Sequence, residues 1–190
     1  MKLIDNYIFG LKRKLLCCIE ESCPALPLIV ALTYGCNTVC SYCNAQGLKE
    51  KFEEEINVDD FKKVLSWMKR QRIKKIMFTG GEPTLHSRFK EIIELCREER
   101  IMCYMASHGY YAEAMNDFVG KNINVLFINC STEYALKEKN DFTSKLCKLK
   151  EYGVKIILRI NVNNSNDDLT WYLELAKTLN ARVRIGITNP

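Results

Sequence analysis

Three cysteines stand close together in Cys36-Asn-Thr-Val-Cys40-Ser-Tyr-Cys43, directly after the apolar run 27–32. Thiols at this spacing can close on one metal centre, and thiolate ligands suit zinc or iron–sulfur groups. Three is one ligand short of the four that a closed structural zinc site takes. Neither a further Cys nor a His lies within the next forty residues, since the only histidines are His86 and His108. Cys23 lies on the other side of the apolar run and so belongs to the opposite end of that element. An iron–sulfur cubane on three cysteines keeps one iron open, which makes the motif read as a reactive centre. A zinc knuckle that lacks its fourth ligand stays open as the alternative.

The second chemical element is Thr79-Gly80-Gly81-Glu82-Pro83. Paired glycines let a backbone approach closely and adopt torsions closed to other residues. Pro83 biases Glu82 away from the helical region and offers no amide hydrogen. Such a turn presents carbonyl oxygens and a carboxylate, which suits an amino group. It is a poor phosphate cradle, because no lysine and no run of helix-opening amides accompanies it.

These loops need a scaffold, and the apolar periodicity supplies one. Strands are expected at 28–34, 75–79, 101–107, 124–131, 154–162 and 182–188, with helices near 58–71, 86–99, 111–120, 134–151 and 167–179. Val58, Phe61, Val64, Leu65 and Met68 mark one buried helix face. Asn57 caps that helix, and Asp59 and Asp60 suit its first turn. Alternation of this kind builds a parallel sheet with right-handed crossovers. Both chemical loops then follow strands and lie over the carboxyl end of the sheet.

Strand parity divides the sheet into two faces. Val154, Ile156, Leu158, Ile160 and Val162 should meet the helices, which leaves Lys155, Ile157, Arg159 and Asn161 inside. By the same rule Val125, Phe127, Asn129 and Ser131 face inward, as do Arg182, Arg184, Gly186 and Thr188. Polar residues therefore gather on the inner face toward the carboxyl ends, where parallel barrels bind ligands. The fold class is α/β, a partial, open, parallel (β/α)6 barrel over 27–190 with an N-terminal helical extension over 1–26. Ile4, Ile8, Leu11 and Leu15 line the face of that extension. Six strands are too few for a closed eight-stranded barrel. Either one side is open, or a further segment belongs after Pro190.

At the residues quoted, the sequence resembles the radical S-adenosylmethionine (radical SAM) superfamily. Cys36, Cys40 and Cys43 match its Cys-x3-Cys-x-aromatic-Cys motif, with Tyr42 as the aromatic, and Gly80-Gly81-Glu82-Pro83 matches its Gly-Gly-Glu-Pro turn. The resemblance implies that Cys36, Cys40 and Cys43 hold a [4Fe–4S] cluster. It implies that SAM chelates the fourth iron and is cleaved reductively to a 5′-deoxyadenosyl radical, which abstracts a substrate hydrogen. Gly80, Gly81 and Glu82 are then expected to receive the methionine amino group. Asn129, Ser131, Arg159 and Asn161 are the further SAM-contact candidates, and Arg184 is a candidate for substrate. His108 stands where many members carry Asn, a departure from the family pattern. The implied partners are an external electron donor of flavodoxin or ferredoxin type and a substrate that is a peptide, a protein or a small molecule. The rival reading is a non-catalytic zinc- or cluster-binding module that docks a partner protein.

Composition sets the outer limits. The chain has 190 residues, 47% of them hydrophobic, and a formal net charge of +5. The basic residues spread over helix faces with no aromatic-studded stripe, so specific nucleic-acid binding is not expected. The longest apolar run is well short of the roughly 20 residues of a membrane span, and a cytoplasmic location is expected. Ten cysteines in a chain of this pattern suit metal ligation and core packing better than a disulfide scaffold. Cys96, Cys103, Cys130 and Cys147 fit strand and helix interiors. His86 reads as a first-turn surface residue, and Cys17, Cys18 and Cys23 match no cluster spacing.

Overall fold

The computed structural model describes residues 26–45, 47–48, 50–52, 55–162 and 168–187. The proposed helical extension, with Cys17, Cys18 and Cys23, and the residues from 188 onward lie outside them. Six strands form one sheet in the order of the chain: β1 (Leu28–Thr33), β2 (Lys75–Gly80), β3 (Met102–Ser107), β4 (Val125–Asn129), β5 (Lys155–Val162) and β6 (Arg182–Ile187). Every neighbouring pair is parallel, and β1 and β6 are the two edges, so the barrel is open.

The helices fill the connections on one face. They are α1 (Val58–Gln71), α2 (Phe89–Glu98), α3 (Ala114–Asn122), α4 (Glu133–Lys137), α5 (Lys139–Glu151) and α6 (Thr170–Leu179). The α1 start follows the sequence closely: Asn57 accepts from the Asp60 amide, with Asp59 and Asp60 in the first turn. Two expected helices are divided or shortened. The span 86–99 shortens to α2, and a 3-10 turn, Pro83–Leu85, precedes it. The span 134–151 breaks at Glu138, whose ψ of 47° leaves the helical region, and Thr132 caps the short α4 ahead of it.

The main core lies between sheet and helices. Phe61, Leu65 and Met68 of α1 and Ile92, Ile93 and Cys96 of α2 pack there against the outward strand residues. Leu126, Ile128, Ile156, Leu158 and Ile160 complete it, as parity requires. Inside the barrel a smaller cluster of Ala106, Val125, Phe127 and Ile157 packs with Met77 and Tyr104. It coats the inner face of the sheet, and polar side chains join it toward the carboxyl ends. Cys96, Cys103 and Cys130 are buried, whereas Cys147 is only half-buried.

Candidate functional site

A cavity of about 430 Å³ opens over the carboxyl end of the sheet. Cys36, Cys40 and Cys43 line it from the loop after β1. Thr79, Gly80 and Gly81 line it from the end of β2, and Ser107 and His108 from the end of β3. Asn129, Arg159 and Asn161 complete the wall from β4 and β5. Residues from five successive chain segments thus meet in one place, because each follows or ends a parallel strand.

The cysteine loop is tied to three neighbouring strands. Its base is held by the Gly81 amide, which donates to the Thr33 carbonyl at 2.7 Å, and the Glu82 amide, which donates to that of Gly35 at 2.9 Å. Glycine is required at this seam. A β-carbon on Gly80 would stand 2.0 Å from the Thr33 carbonyl oxygen, and one on Gly81 would stand 2.1 Å from that of Gly35. Gly80 also has a φ of 126°, open to glycine but strained for other residues. The close approach these glycines permit is to the base of the cysteine loop itself. Further along, Asn37 donates to the Tyr110 carbonyl at 3.0 Å. At the far end the Tyr42 hydroxyl donates to the Ser131 carbonyl at 2.8 Å and accepts from the Asn129 amide at 3.1 Å. Burial pushes the Tyr42 phenol up to about 12, so it remains a neutral donor.

Glu82 occupies a different position from the one expected of a group facing the cavity. Its carboxylate is fully buried and absent from the cavity lining. It accepts from the Thr84 hydroxyl at 2.8 Å, from the Ser107 hydroxyl at 2.9 Å and from the His108 amide at 3.1 Å. The side chain therefore locks the turn after β2 to the end of β3. Ser131 likewise does not line the cavity; its hydroxyl accepts from the Asn161 amide at 2.9 Å and stitches β4 to β5. Asn129 stands beside Arg159 in register, and Arg159 beside Arg184, so these three form a row along the wall.

His108 lines the cavity next to Cys36. Its Nδ1 accepts from the Tyr110 amide at 2.9 Å, so the proton of a neutral ring sits on Nε2, 3.3 Å from Glu82 Oε2. Burial pushes the Cys36 thiol up, but the neighbouring His108 ring and the Thr38 hydroxyl at 3.3 Å outweigh it and bring the thiol down to about 7. His86 corrects the surface assignment made from sequence. It is buried, its Nε2 meets the Ile56 carbonyl at 2.9 Å, and its Nδ1 accepts from the Arg88 amide at 3.0 Å. The ring fixes the segment entering α1 onto the turn after β2. Its place beside Pro83 in sequence gave no sign of this, because Ile56 is far away along the chain.

Among the described residues, no group of three His, Cys, Asp or Glu side chains is arranged as a metal site. The donor chemistry nonetheless fits an iron–sulfur group. Three free thiols line one cavity, and that of Cys36 is drawn toward its thiolate form near neutral pH.

Comparison with known proteins agrees with this layout. A putative glycyl-radical enzyme activating enzyme of Methanocaldococcus jannaschii is 36% identical over 90 residues, 47% of this chain and 34% of that protein. Fe-coproporphyrin III synthase of Methanosarcina barkeri is 26% identical over 152 residues, 74% of this chain and 38% of that protein. The chain therefore matches only about a third of the length of these curated relatives. Among solved structures, Streptococcus suis SuiB bound to the precursor peptide SuiA superposes with a TM-score of 0.68 at 13% identity, covering 92% of this chain and 43% of SuiB. The methyltransferase TsrM of Kitasatospora setae, solved with cobalamin and a [4Fe–4S] cluster, gives a TM-score of 0.59 at 12% identity, covering 85% of this chain and 36% of TsrM. Both share the fold. The family model described as Radical SAM superfamily matches residues 30–187, nearly the whole of the barrel, and the chain belongs to that superfamily.

Proposed function

We propose that this chain is the catalytic core of a radical SAM enzyme, with a [4Fe–4S] cluster on Cys36, Cys40 and Cys43 and SAM beside it in the same cavity. The observation that carries the reading is the shared cavity: three thiols, the Gly80–Gly81 backbone and the polar side chains of Asn129, Arg159 and Asn161 line one space at the carboxyl end of a parallel sheet. Cys36, Cys40 and Cys43 would hold the cluster, which when bound would supply the electron for reductive cleavage of SAM and so the radical chemistry of hydrogen abstraction.

The protein's own residues do the positioning. The carbonyl groups at Thr79, Gly80 and Gly81 suit the methionine amino group, and the Arg159 guanidinium suits its carboxylate. Asn129 and Asn161 offer amides to the sugar hydroxyls. Glu82 and Ser131 act from behind, by holding the turn after β2 and the end of β5 in register. No helix among the described residues is long and apolar enough to cross a membrane. An external flavodoxin- or ferredoxin-type donor would approach the exposed cysteine loop. We favour a small-molecule substrate, since relatives bear names such as Fe-coproporphyrin III synthase, AdoMet-dependent heme synthase and probable GTP 3′,8-cyclase.

The test is anaerobic reconstitution with iron and sulfide, followed by SAM and a strong reductant. Cluster absorbance with release of 5′-deoxyadenosine and methionine is expected, and Cys40→Ala should abolish both. Tightly held zinc with no cluster absorbance would overturn the reading and favour the metal-binding module.

A further inference from the structure

A second cavity, of about 580 Å³, lies in the lumen beside the first and shares Arg159 and Asn161 with it. Its volume falls in the range of small-molecule sites, roughly 300–1,000 Å³. The floor is apolar and aromatic, made by Met77, Tyr104, Phe127 and Ile157. The wall on β5 and β6 carries Lys155, Arg159, Arg182 and Arg184. No Asp or Glu among the described residues lines this cavity, and none among them lies within ion-pair distance of the four cations.

All four cations are exposed, and two features favour a bound anion over a merely solvated basic face. Arg159 and Arg184 are register partners on adjacent strands, and like charges placed side by side on one sheet face repel each other. Arg184 lies with its guanidinium 5.1 Å from the Phe127 ring centroid, which directs it over the aromatic floor. A lumen wall that served packing alone would carry apolar residues at these inward positions, as β4 does with Val125 and Phe127. Concentrated cations facing an aromatic floor match one ligand chemistry: an apolar or aromatic body that bears carboxylate or phosphate groups.

We propose that this cavity binds the substrate, an amphipathic small molecule with anionic groups, and that Arg182 and Arg184 are its principal anchors. The assignment of the bound anion as substrate rests on the SAM-cleaving reading, which puts the reactive centre across Arg159 and Asn161 from it. Arg159 serves as the shared boundary, reached by SAM on one side and by the substrate anion on the other.

The test uses naphthalene-2,6-dicarboxylate and its uncharged dimethyl ester, titrated by fluorescence into the full chain at low salt. The dicarboxylate should bind at least about tenfold more tightly than the ester. Arg184→Gln and Arg182→Gln should each weaken the dicarboxylate about tenfold and leave the ester unchanged, while Arg184→Lys, which keeps the charge but not the planar fork, should lose less than Arg184→Gln. Added salt should weaken the dicarboxylate alone. No binding, equal binding of the two probes, or full affinity in both glutamine variants would overturn the proposal. The titration needs neither iron nor SAM, so its failure removes the anion site only. Failure of the wild-type protein to cleave SAM after reconstitution would instead remove the catalytic reading.

Discussion

The Tyr42 hydroxyl donates to the Ser131 carbonyl oxygen at 2.8 Å, joining residues 89 positions apart in the chain. This bond pins the cysteine loop to the end of β4. It gives the aromatic position of the Cys-x3-Cys-x-aromatic-Cys motif a structural task that a phenyl ring cannot perform alone. Tyr42→Phe should cost about 0.5–1.5 kcal/mol, the usual net worth of one hydrogen bond. Hydrogen exchange across 36–45 should accelerate several-fold while β4 stays protected. Unchanged exchange in the loop would show that the bond does not hold it.

Gly81 governs the other end of the loop. Alanine there puts a β-carbon 2.1 Å from the Gly35 carbonyl oxygen, and neither backbone can yield without breaking the Gly81–Thr33 and Glu82–Gly35 bonds. Gly81→Ala should destabilise the fold by about 1–3 kcal/mol, the range for overpacking a tight site. Iron and sulfide uptake should fall more steeply than stability, since the displaced element carries Cys36. Urea unfolding beside metal analysis of the reconstituted protein measures both.

Glu82 is a fully buried acceptor surrounded by the Ser107 and Thr84 hydroxyls and the His108 amide. Glu82→Gln keeps the volume but turns an amide donor toward those donors. A loss of about 1–3 kcal/mol follows from the buried mismatch, or roughly 3–10 °C in Tm for a chain of this size. A Tm within one degree of wild type would show that the carboxylate is not the lock between β2 and β3.

Cys36 in the metal-free protein should alkylate at unusually low pH. Its thiol is brought down to about 7 from an ordinary 9.0, against the upward push of burial, by the neighbouring His108 ring and the Thr38 hydroxyl. The sign is that of an acid with a lowered pKa: the thiolate persists as pH falls from 9 and is lost only on passing through about 7. Peptide-resolved iodoacetamide labelling should reach half its maximal rate near pH 7, and His108→Asn should move that midpoint upward. A midpoint that stays near 9 in both proteins would refute the His108 effect.

The strand–helix alternation, the stripe on α1 and its Asn57 cap were legible because each depends on residues three or four positions apart, or on strand parity. The same parity anticipated Arg159, Asn161 and Asn129 on the lumen wall. His86 was misread because burial depends on which loop covers it, here the segment at Ile56. The break at Glu138 was also missed, since the apolar pattern runs through it without a Gly or Pro.

By itself the sequence determined that parallel strands deliver a three-cysteine loop and a Gly-Gly turn to one end of a sheet, and that the inner face there is polar. Local periodicity and backbone stereochemistry suffice for that. Only the tertiary structure decided what each motif residue touches. Glu82 turns into the protein rather than the cavity, Tyr42 reaches Ser131, and Gly81 makes room for Gly35. Those contacts join residues 25 to 89 positions apart. Their partners are brought together by strand pairing and lumen packing, which leave no signature in the local spacing of residues.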